Sequence, residues 1–164
     1  MLFRSKIDKE NHPNWEIAEG FSEADMEFLP DGSMVCVMRT TAVADLVSSY
    51  ISYSNDGGAN WSTPEIFDDR GVFFRTLTLK NGVLVASYGR PNVYLRVTLD
   101  GHNWEERIDV TGDGDWVNSC GYTSIIPLSD DTFYLMYSCF RYPNPQGVPV
   151  KTILGRTVTV KRND

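Results

Sequence analysis

The sequence predicts an all-β fold built from repeated four-stranded units, and three observations support this prediction. Short runs rich in Val, Ile, Tyr, Phe and Thr recur between clusters of Gly, Asp, Asn and Pro, as strands separated by turns do. A hairpin pattern and a tryptophan-containing turn both recur along the chain. Helical periodicity is nearly absent, and only Ser22–Phe28 offers a weak helical alternative. No cofactor is expected.

The first repeated pattern is a hairpin turn followed by an apolar strand. Residues 28–37 read FLPDGSMVCV, residues 77–86 read LTLKNGVLVA and residues 126–135 read IPLSDDTFYL. The turns advance by 50 positions (81 − 31) and then by 49 (130 − 81). Four-stranded units that repeat at about 40 to 50 residues are typical of β-propeller blades, which need neighbours to bury both faces.

The second repeated pattern is a tight turn that ends in tryptophan. Residues 54–61 read SNDGGANW and residues 98–104 read TLDGHNW, so the two tryptophans are 43 positions apart (104 − 61). Glycine reaches the positive φ that such a turn needs, and the Asp56 carboxylate can accept the turn's own N–H groups. Trp61 can then fold back as an apolar plug under the turn. Trp15 continues the spacing, 46 positions earlier (61 − 15).

In chain order, the repeats predict one partial unit and three further units within a single partial propeller domain. Residues 1–20 supply the two outer strands of a preceding unit, and the following units span residues 23–67, 73–110 and 120–161. The last unit shows three strand candidates and no fourth. Open flanks favour self-association, and the expected pairing is head to tail, with the strand at residues 15–17 completing the last unit of another copy.

Composition argues against several classes of function. The chain has 164 residues, of which 41% are hydrophobic, and its formal net charge is -7 with no Lys/Arg run. This favours a globular chain that binds neither nucleic acid nor an anionic membrane. Residues 1–6 lack the apolar run of a signal peptide, so the compartment is not predicted. Cys36, Cys120 and Cys139 are widely spaced, which favours buried thiols over disulfides or a metal site.

Four residues break the repeated frame and are therefore candidates for function. Glu23 opens the first full unit, Arg39 and Arg90 are expected to end the second strands of two units, and Tyr122 opens the third. The inner strands of a propeller converge on its channel, so these side chains can meet although they are far apart in sequence. Structural alternatives stay open: strand-end salt bridges for the arginines, and a packing role for the tyrosine.

Other polar residues compete with these candidates or have structural interpretations. The strand that begins at Glu23 contains two further acids, Asp25 and Glu27. A separate group of acids consists of Asp109, Asp113 and Asp115. It lacks the closing Glu of a calcium loop, so a solvated loop is favoured and no metal site is predicted. The histidines His12 and His102 lie in predicted loops.

The tryptophan turns resemble the Asp-box, a repeated hairpin of sialidase-type β-propellers with the pattern Ser-x-Asp-x-Gly-x-x-Trp. The residues that carry this resemblance are Ser54, Asp56, Gly58 and Trp61, and Asp100, Gly101 and Trp104. The chain as a whole is similar to about the second half of the six-bladed exo-α-sialidase domain. That family places a catalytic Glu, two arginines and a Tyr in the same order as Glu23, Arg39, Arg90 and Tyr122.

The resemblance implies a role for each of these four residues. Arg39 and Arg90 would hold the substrate carboxylate, Tyr122 would be the nucleophile, and Glu23 would be its base. The chemistry suits sialic acid, whose carboxylate sits on the anomeric carbon, because guanidinium forks bind carboxylates and a neutral phenol is not repelled by one.

The implied function is retaining hydrolysis of terminal sialosides by the complete domain, with a sialylated glycan or another acidic sugar as ligand. The family's first arginine and its acid/base Asp belong to earlier blades, so the isolated chain is expected to be nearly inactive. Members of the family are often secreted or periplasmic in bacteria. Two alternatives stay open: a non-catalytic carbohydrate-binding or assembly module on the propeller scaffold, and a related hydrolase for another acidic sugar.

Overall fold

The computed structural model describes Glu10 and residues 20–40, 49–111 and 121–162. The all-β prediction is confirmed, because this part of the chain forms antiparallel strands and contains no helix. It accordingly holds no helix able to span a membrane. The predictions for the outer strands before residue 20, and for His12, Cys120, Asp113 and Asp115, lie outside the described residues.

Within the described residues, eleven strands make up three sheets. The first two sheets have four strands each, in the order β1-β2-β3-β4 and β5-β6-β7-β8, and the third has the order β9-β10-β11. The bounds are β1 (Ser22–Phe28), β2 (Met34–Arg39), β3 (Ser49–Ser54), β4 (Glu65–Asp68), β5 (Val72–Thr78), β6 (Leu84–Gly89), β7 (Val93–Thr98), β8 (Ile108–Asp109), β9 (Thr123–Pro127), β10 (Thr132–Pro143) and β11 (Pro149–Thr159).

The same type of hairpin turn joins the first two strands of each of the three sheets. The backbone N–H of the turn leucine donates to the carbonyl four residues later, at 2.8 Å for Leu29, 2.9 Å for Leu79 and 2.8 Å for Leu128. In the first two sheets, a glycine in the turn has φ near +85°, a conformation that costs other residues strain. The turn leucine therefore supplies a common reference for comparing positions between sheets.

The sheets pack face to face in chain order: the first sheet packs on the second, and the second packs on the third. Between the first and second sheets the core includes Val35, Val37, Ala86 and Tyr88. Between the second and third sheets it includes Val85, Leu95, Phe133, Leu135 and Tyr137. The second sheet thus has a forward face, which meets the third sheet, and a backward face, which meets the first.

The tryptophan turn between β3 and β4 is closed by its own polar groups. The Ser54 hydroxyl donates to Oδ1 of Asp56 at 3.0 Å, and this oxygen also accepts the Asn60 N–H at 2.7 Å. The Trp61 indole N–H donates to the Gly58 carbonyl at 3.1 Å. The bonds from Asn60 and Ser54 lower the pKa of the Asp56 carboxyl.

The turn between β7 and β8 repeats these contacts with one residue fewer. Thr98 takes the place of the serine and donates to Oδ1 of Asp100 at 3.0 Å, and the Asn103 N–H donates to the same oxygen at 2.7 Å. The Trp104 indole donates to the Gly101 carbonyl at 3.1 Å. Both turns lie between the third and fourth strands of their sheets, whereas the candidate site residues lie on or beside the first and second strands.

The two cysteines in the described part are buried free thiols. Cys36 lies on β2 and Cys139 on β10, each within an apolar strand. Burial raises the pKa of the Cys36 thiol to about 12, so this group stays protonated at neutral pH.

Candidate active site

Three equivalent positions in successive sheets meet at the start of the inner strands. Glu23, Phe73 and Tyr122 each precede the turn leucine of their sheet by six residues (29 − 23, 79 − 73 and 128 − 122). The Tyr122 hydroxyl donates to Oε1 of Glu23 at 3.0 Å, and the Phe73 backbone N–H donates to Oε2 at 2.9 Å. The Phe73 and Tyr122 rings stack at 4.1 Å with an 11° interplanar angle. The three residues therefore meet because they occupy the same position of the repeat in adjacent sheets.

A β-bulge directs the first two of these side chains. The pairing register shifts between Ser22 and Asp25 in β1, and between Val72 and Arg75 in β5. Within these bulges Glu23 has φ +48° and Phe73 has φ +51°, values that are uncommon for residues other than glycine. Backbone strain of this kind costs on the order of 1–3 kcal/mol per residue and is concentrated at functional sites.

Arg39 places a buried positive charge beside the glutamate. It ends β2 directly opposite Ser22, and it is only 8% exposed. Its Nε lies 3.4 Å from Oε2 of Glu23, and it donates to the Ser22 hydroxyl at the same distance. The two oxygens of Glu23 therefore face different groups: a phenol on one, and a guanidinium with a peptide N–H on the other.

The expectation that Arg39 and Arg90 occupy equivalent strand ends is wrong by one position. Ser22 pairs with Arg39 in the first sheet, whereas Val72 pairs with Gly89 in the second, and β6 ends at that glycine. A Cβ at Gly89 would lie 2.2 Å from the Gly121 carbonyl oxygen, so this position has no room for a side chain. Arg90 follows in an exposed position with φ +72°.

The Tyr122 phenol is the titratable group that this arrangement perturbs. Its hydrogen bond to Glu23 raises its pKa, and the charge of that carboxylate and partial burial act in the same direction. The positive charges of Arg39 and Arg90 act in the opposite direction. At rest the phenol therefore keeps its proton and directs it at the carboxylate. The structure thus places Tyr122 against Glu23 and Glu23 against Arg39, and the charge of Arg90 also acts on the Tyr122 hydroxyl.

Sequence reasoning did not identify Phe73 and Arg75 as part of this cluster. The Arg75 guanidinium lies 4.2 Å from the centre of the Phe73 ring, a cation–π contact, and its Nη1 donates to the Phe74 carbonyl at 3.1 Å. The signal was present in the repeat, because Phe73 stands at the same distance from its turn leucine as Glu23 and Tyr122 do.

The other two acids of β1 have backbone partners in the next sheet. Asp25 accepts the Thr76 N–H at 2.7 Å, and Glu27 accepts the Thr78 N–H at 3.2 Å. They connect β1 to β5, much as Glu23 does through Phe73, but Glu23 also contacts the phenol and the guanidinium.

The part of the chain that the structure describes has no group of three or more His, Cys, Asp or Glu side chains that could hold a metal ion. Asp109 lies within this part. Its Oδ1 accepts the Thr111 N–H at 2.9 Å, and its Oδ2 accepts the Asn92 side-chain amide at 2.6 Å.

No protein family matches the sequence, and no curated protein matches it. Solved structures do match. A protein of unknown function from Dyadobacter fermentans is 22% identical with a TM-score of 0.67, and the match covers 86% of this chain and 38% of that one. The GH93 α-L-arabinofuranosidase of Fusarium graminearum, in complex with arabinobiose, is 16% identical with a TM-score of 0.59, covering 84% of this chain and 46% of that one.

An α-L-arabinanase of Penicillium chrysogenum, complexed with arabinobiose, is 15% identical with a TM-score of 0.55, and the match covers 82% of this chain and 45% of that one. The chain therefore spans 38 to 46% of the length of these three structures. The likeness shows that this chain shares the all-β, propeller-like fold of these structures.

Proposed function

We propose that this chain carries the tyrosine and glutamate of a retaining glycoside hydrolase site for an acidic sugar, and that the sugar is a terminal sialoside. The observation that carries the proposal is the 3.0 Å hydrogen bond from the Tyr122 hydroxyl to Glu23, with Arg39 3.4 Å from the other carboxylate oxygen. A phenol bonded to a carboxylate is the activated form that a tyrosine nucleophile requires. The tryptophan turns, which resemble the Asp-box, support the sialidase type.

In the first step the Tyr122 oxygen attacks the anomeric carbon while its proton passes to Glu23. The bond from that carbon to the leaving alcohol breaks, and the alcohol takes a proton from a general acid, which the resemblance to sialidases assigns to an earlier part of the domain. Water then attacks the anomeric carbon of the tyrosine-linked sugar. The acid's conjugate base accepts the water's proton, Glu23 returns its proton to the phenolate, and the two displacements give net retention.

The arginines explain why an acidic sugar is proposed. A guanidinium stays charged at any working pH and binds a carboxylate through two parallel hydrogen bonds. Arg90 is exposed and its charge acts on the Tyr122 phenol, and Arg39 holds its charge against Glu23. A carboxylate on the anomeric carbon of the substrate would approach Tyr122 within this positive field, which would repel a cationic sugar and give a neutral one no advantage.

Titration calorimetry with sialic acid tests this assignment. We expect binding that weakens at least tenfold, or about 1.4 kcal/mol, in Arg90→Ala and in Arg39→Lys, because lysine keeps the charge but loses the planar fork. Arg141→Ala removes an exposed arginine on β10 and serves as the control that leaves affinity unchanged. Sialic acid binding that is the same in all three variants would remove the carboxylate assignment.

A second candidate is a site for a neutral pentose sugar, and the solved structures that contain arabinobiose favour it. The same calorimeter separates the two candidates, because arabinobiose has no carboxylate for Arg90 to bind. Arabinobiose binding that is insensitive to Arg90→Ala, in the absence of sialic acid binding, would favour the second candidate.

A further inference from the structure

Phe73 contacts both members of the hydrogen-bonded pair formed by Tyr122 and Glu23. Its backbone N–H donates to Oε2 of Glu23 at 2.9 Å, and its ring stacks on the Tyr122 ring with 4.1 Å between the ring centres. The Tyr122 hydroxyl in turn donates to Oε1 of Glu23 at 3.0 Å. The position of the Phe73 ring therefore affects where the phenol lies relative to the carboxylate.

Arg75 covers the other face of the Phe73 ring. Its guanidinium carbon lies 4.2 Å from the ring centre, about as far away as the centre of the Tyr122 ring. Carbon atoms in contact are about 3.5–4.0 Å apart, so two planar groups this close to one ring centre do not fit on the same face. The Phe73 ring is therefore held between a guanidinium and the phenol, and it separates Arg75 from Tyr122.

The strand that carries Arg75 also anchors its guanidinium. Arg75 pairs with Ser87 in the ladder between β5 and β6, and its Nη1 donates to the Phe74 carbonyl at 3.1 Å. Phe73 lies in the bulge of β5 with φ +51°, a conformation that is unfavourable for a residue with a side chain. The cation–π contact on its ring helps to stabilise Phe73 in this conformation.

Arg75 departs from the repeated frame, which is the criterion that selected the four candidates from the sequence. The position four residues before the turn leucine is Asp25 in the first sheet, Arg75 in the second and Ser124 in the third (29 − 4, 79 − 4 and 128 − 4). Asp25 accepts a hydrogen bond from the Thr76 N–H of the next sheet, and Ser124 has a short side chain. The contact with the Phe73 ring is therefore specific to the second sheet and is not required by the repeat.

The second sheet fixes the backbone on both sides of Tyr122. Gly121 lies so close to Gly89 that a Cβ at Gly89 would be 2.2 Å from the Gly121 carbonyl oxygen. The Thr123 hydroxyl lies 2.8 Å from the buried Ser87 hydroxyl. Tyr122 itself is 42% exposed. The freedom that remains to this tyrosine is the direction of its side chain, and the neighbouring aromatic ring restricts that direction.

We propose that Arg75 is a positioning residue: it holds the Phe73 ring in place, and this ring holds the Tyr122 phenol against Glu23. The inference rests on the proposed function, since only a phenol that reacts needs to be positioned. It adds a residue that acts without contacting the sugar. Loss of Arg75 should therefore slow the reaction of the phenol and leave the binding of sialic acid unchanged.

Ultraviolet titration of Tyr122, assigned by difference from Tyr122→Phe, tests the positioning without any sugar. Glu23 raises the pKa of this phenol, and the charges of Arg39 and Arg90 lower it. A phenol released from Glu23 should have a lower pKa than in the wild type, whereas the mere loss of one more positive charge should raise it. Arg75→Met keeps a long side chain without the charge and should therefore lower the pKa. Arg75→Lys keeps a charge over the ring and should give a pKa between those of Arg75→Met and the wild type.

A second measurement follows the reaction of the phenol. A sialosyl fluoride with a second fluorine beside the anomeric carbon reacts without a general acid: the Tyr122 oxygen bonds to the anomeric carbon, fluoride leaves, and the phenol proton passes to Glu23. The rate of labelling, measured by peptide mass spectrometry, should fall at least tenfold in Arg75→Met. The calorimetric affinity for sialic acid should stay the same, because the Phe73 ring separates Arg75 from the phenol.

Arg96→Met is the matched control, because it removes a guanidinium 4.8 Å from the centre of the Phe67 ring in the same sheet. It should change neither the pKa of Tyr122 nor the labelling rate. A pKa that rises or stays constant in Arg75→Met would overturn the proposal, and so would an equal fall in Arg96→Met. A loss of sialic acid affinity in Arg75→Met would also overturn it, because Arg75 would then contact the sugar. A wild type that is not labelled would contradict the proposed function, while a lowered pKa in Arg75→Met would still support the positioning of the phenol.

Discussion

The hydrogen bond between Tyr122 and Glu23 should appear as a coupling energy between the two side chains. A hydrogen bond to a charged group contributes about 1.5–3 kcal/mol, but Tyr122 is 42% exposed, so solvent competition should reduce the coupling to about 1 kcal/mol. Glu23→Gln keeps the shape and one acceptor oxygen for the Phe73 N–H, and Tyr122→Phe keeps the ring stacked on Phe73. Glu23→Gln also removes the charge that pairs with Arg39, but this loss occurs with and without the phenol and therefore cancels in the coupling energy.

Urea unfolding of the wild type, both single variants and the double variant gives the coupling directly. A matched cycle combines Tyr122→Phe with Glu27→Gln. Glu27 also accepts a hydrogen bond from a β5 backbone N–H, whereas the Tyr122 hydroxyl donates to Glu23. We expect about 1 kcal/mol for the Glu23 cycle and none for the Glu27 cycle. Equal couplings in the two cycles would refute the assignment of the bond as a specific interaction.

Three further predictions concern the phenol, a close backbone contact and a turn. Glu23→Gln should lower the pKa of Tyr122 toward its ordinary value near 10, because it removes the charged acceptor; ultraviolet titration against Tyr122→Phe measures this. Gly89→Ala should cost about 2 kcal/mol in urea unfolding, because its Cβ would meet the Gly121 backbone. Asp100→Asn should flatten the fall in Tm on acidification, because turn hydrogen bonds hold the pKa of Asp100 below its ordinary value near 3.8, and its contribution is lost as pH falls through that range.

Each of these has a control and an outcome that contradicts it. A Tyr122 pKa that rises in the glutamine variant would show that Glu23 is not its main electrostatic neighbour. Gly32→Ala adds a Cβ in open space and should cost about 1 kcal/mol from backbone strain alone, so an equal cost at Gly89 would argue against the close contact. Leu99→Ala lies beside Asp100 and removes no titratable group, so it should leave the acid dependence of Tm unchanged, and an equally steep fall in Asp100→Asn would contradict the prediction.

Local patterns in the sequence were enough to predict the strands and turns. The hairpin with Leu29, Leu79 and Leu128 at its start recurs because each copy closes the same backbone hydrogen bond. The tryptophan turns were predictable for a similar reason, since Asp56 and Asp100 bond within their own turns. These features depend on neighbours in sequence, where residue type and spacing carry the information.

The features that the sequence did not reveal depend on contacts between sheets. Gly89 must be a glycine because the Gly121 backbone, just before β9, approaches it, and the arginine stands one position beyond the strand end. Phe73 joins the cluster by stacking on Tyr122, 49 positions away (122 − 73). The repeat showed where Phe73 stands in its sheet. It did not show that Phe73 stacks on Tyr122, because aligning the strand starts does not reveal which side chains face each other.

The most direct test of the proposed function is covalent trapping of the sugar on Tyr122. A sialosyl fluoride that carries a second fluorine beside the anomeric carbon is a suitable probe, because fluoride leaves without a general acid and the second fluorine slows hydrolysis of the tyrosine-linked sugar. Peptide mass spectrometry should find the sugar on Tyr122 in the wild type, less of it in Glu23→Gln and none in Tyr122→Phe. An unmodified wild type, or a sugar that stays attached in Tyr122→Phe, would contradict the assignment of this tyrosine as the nucleophile.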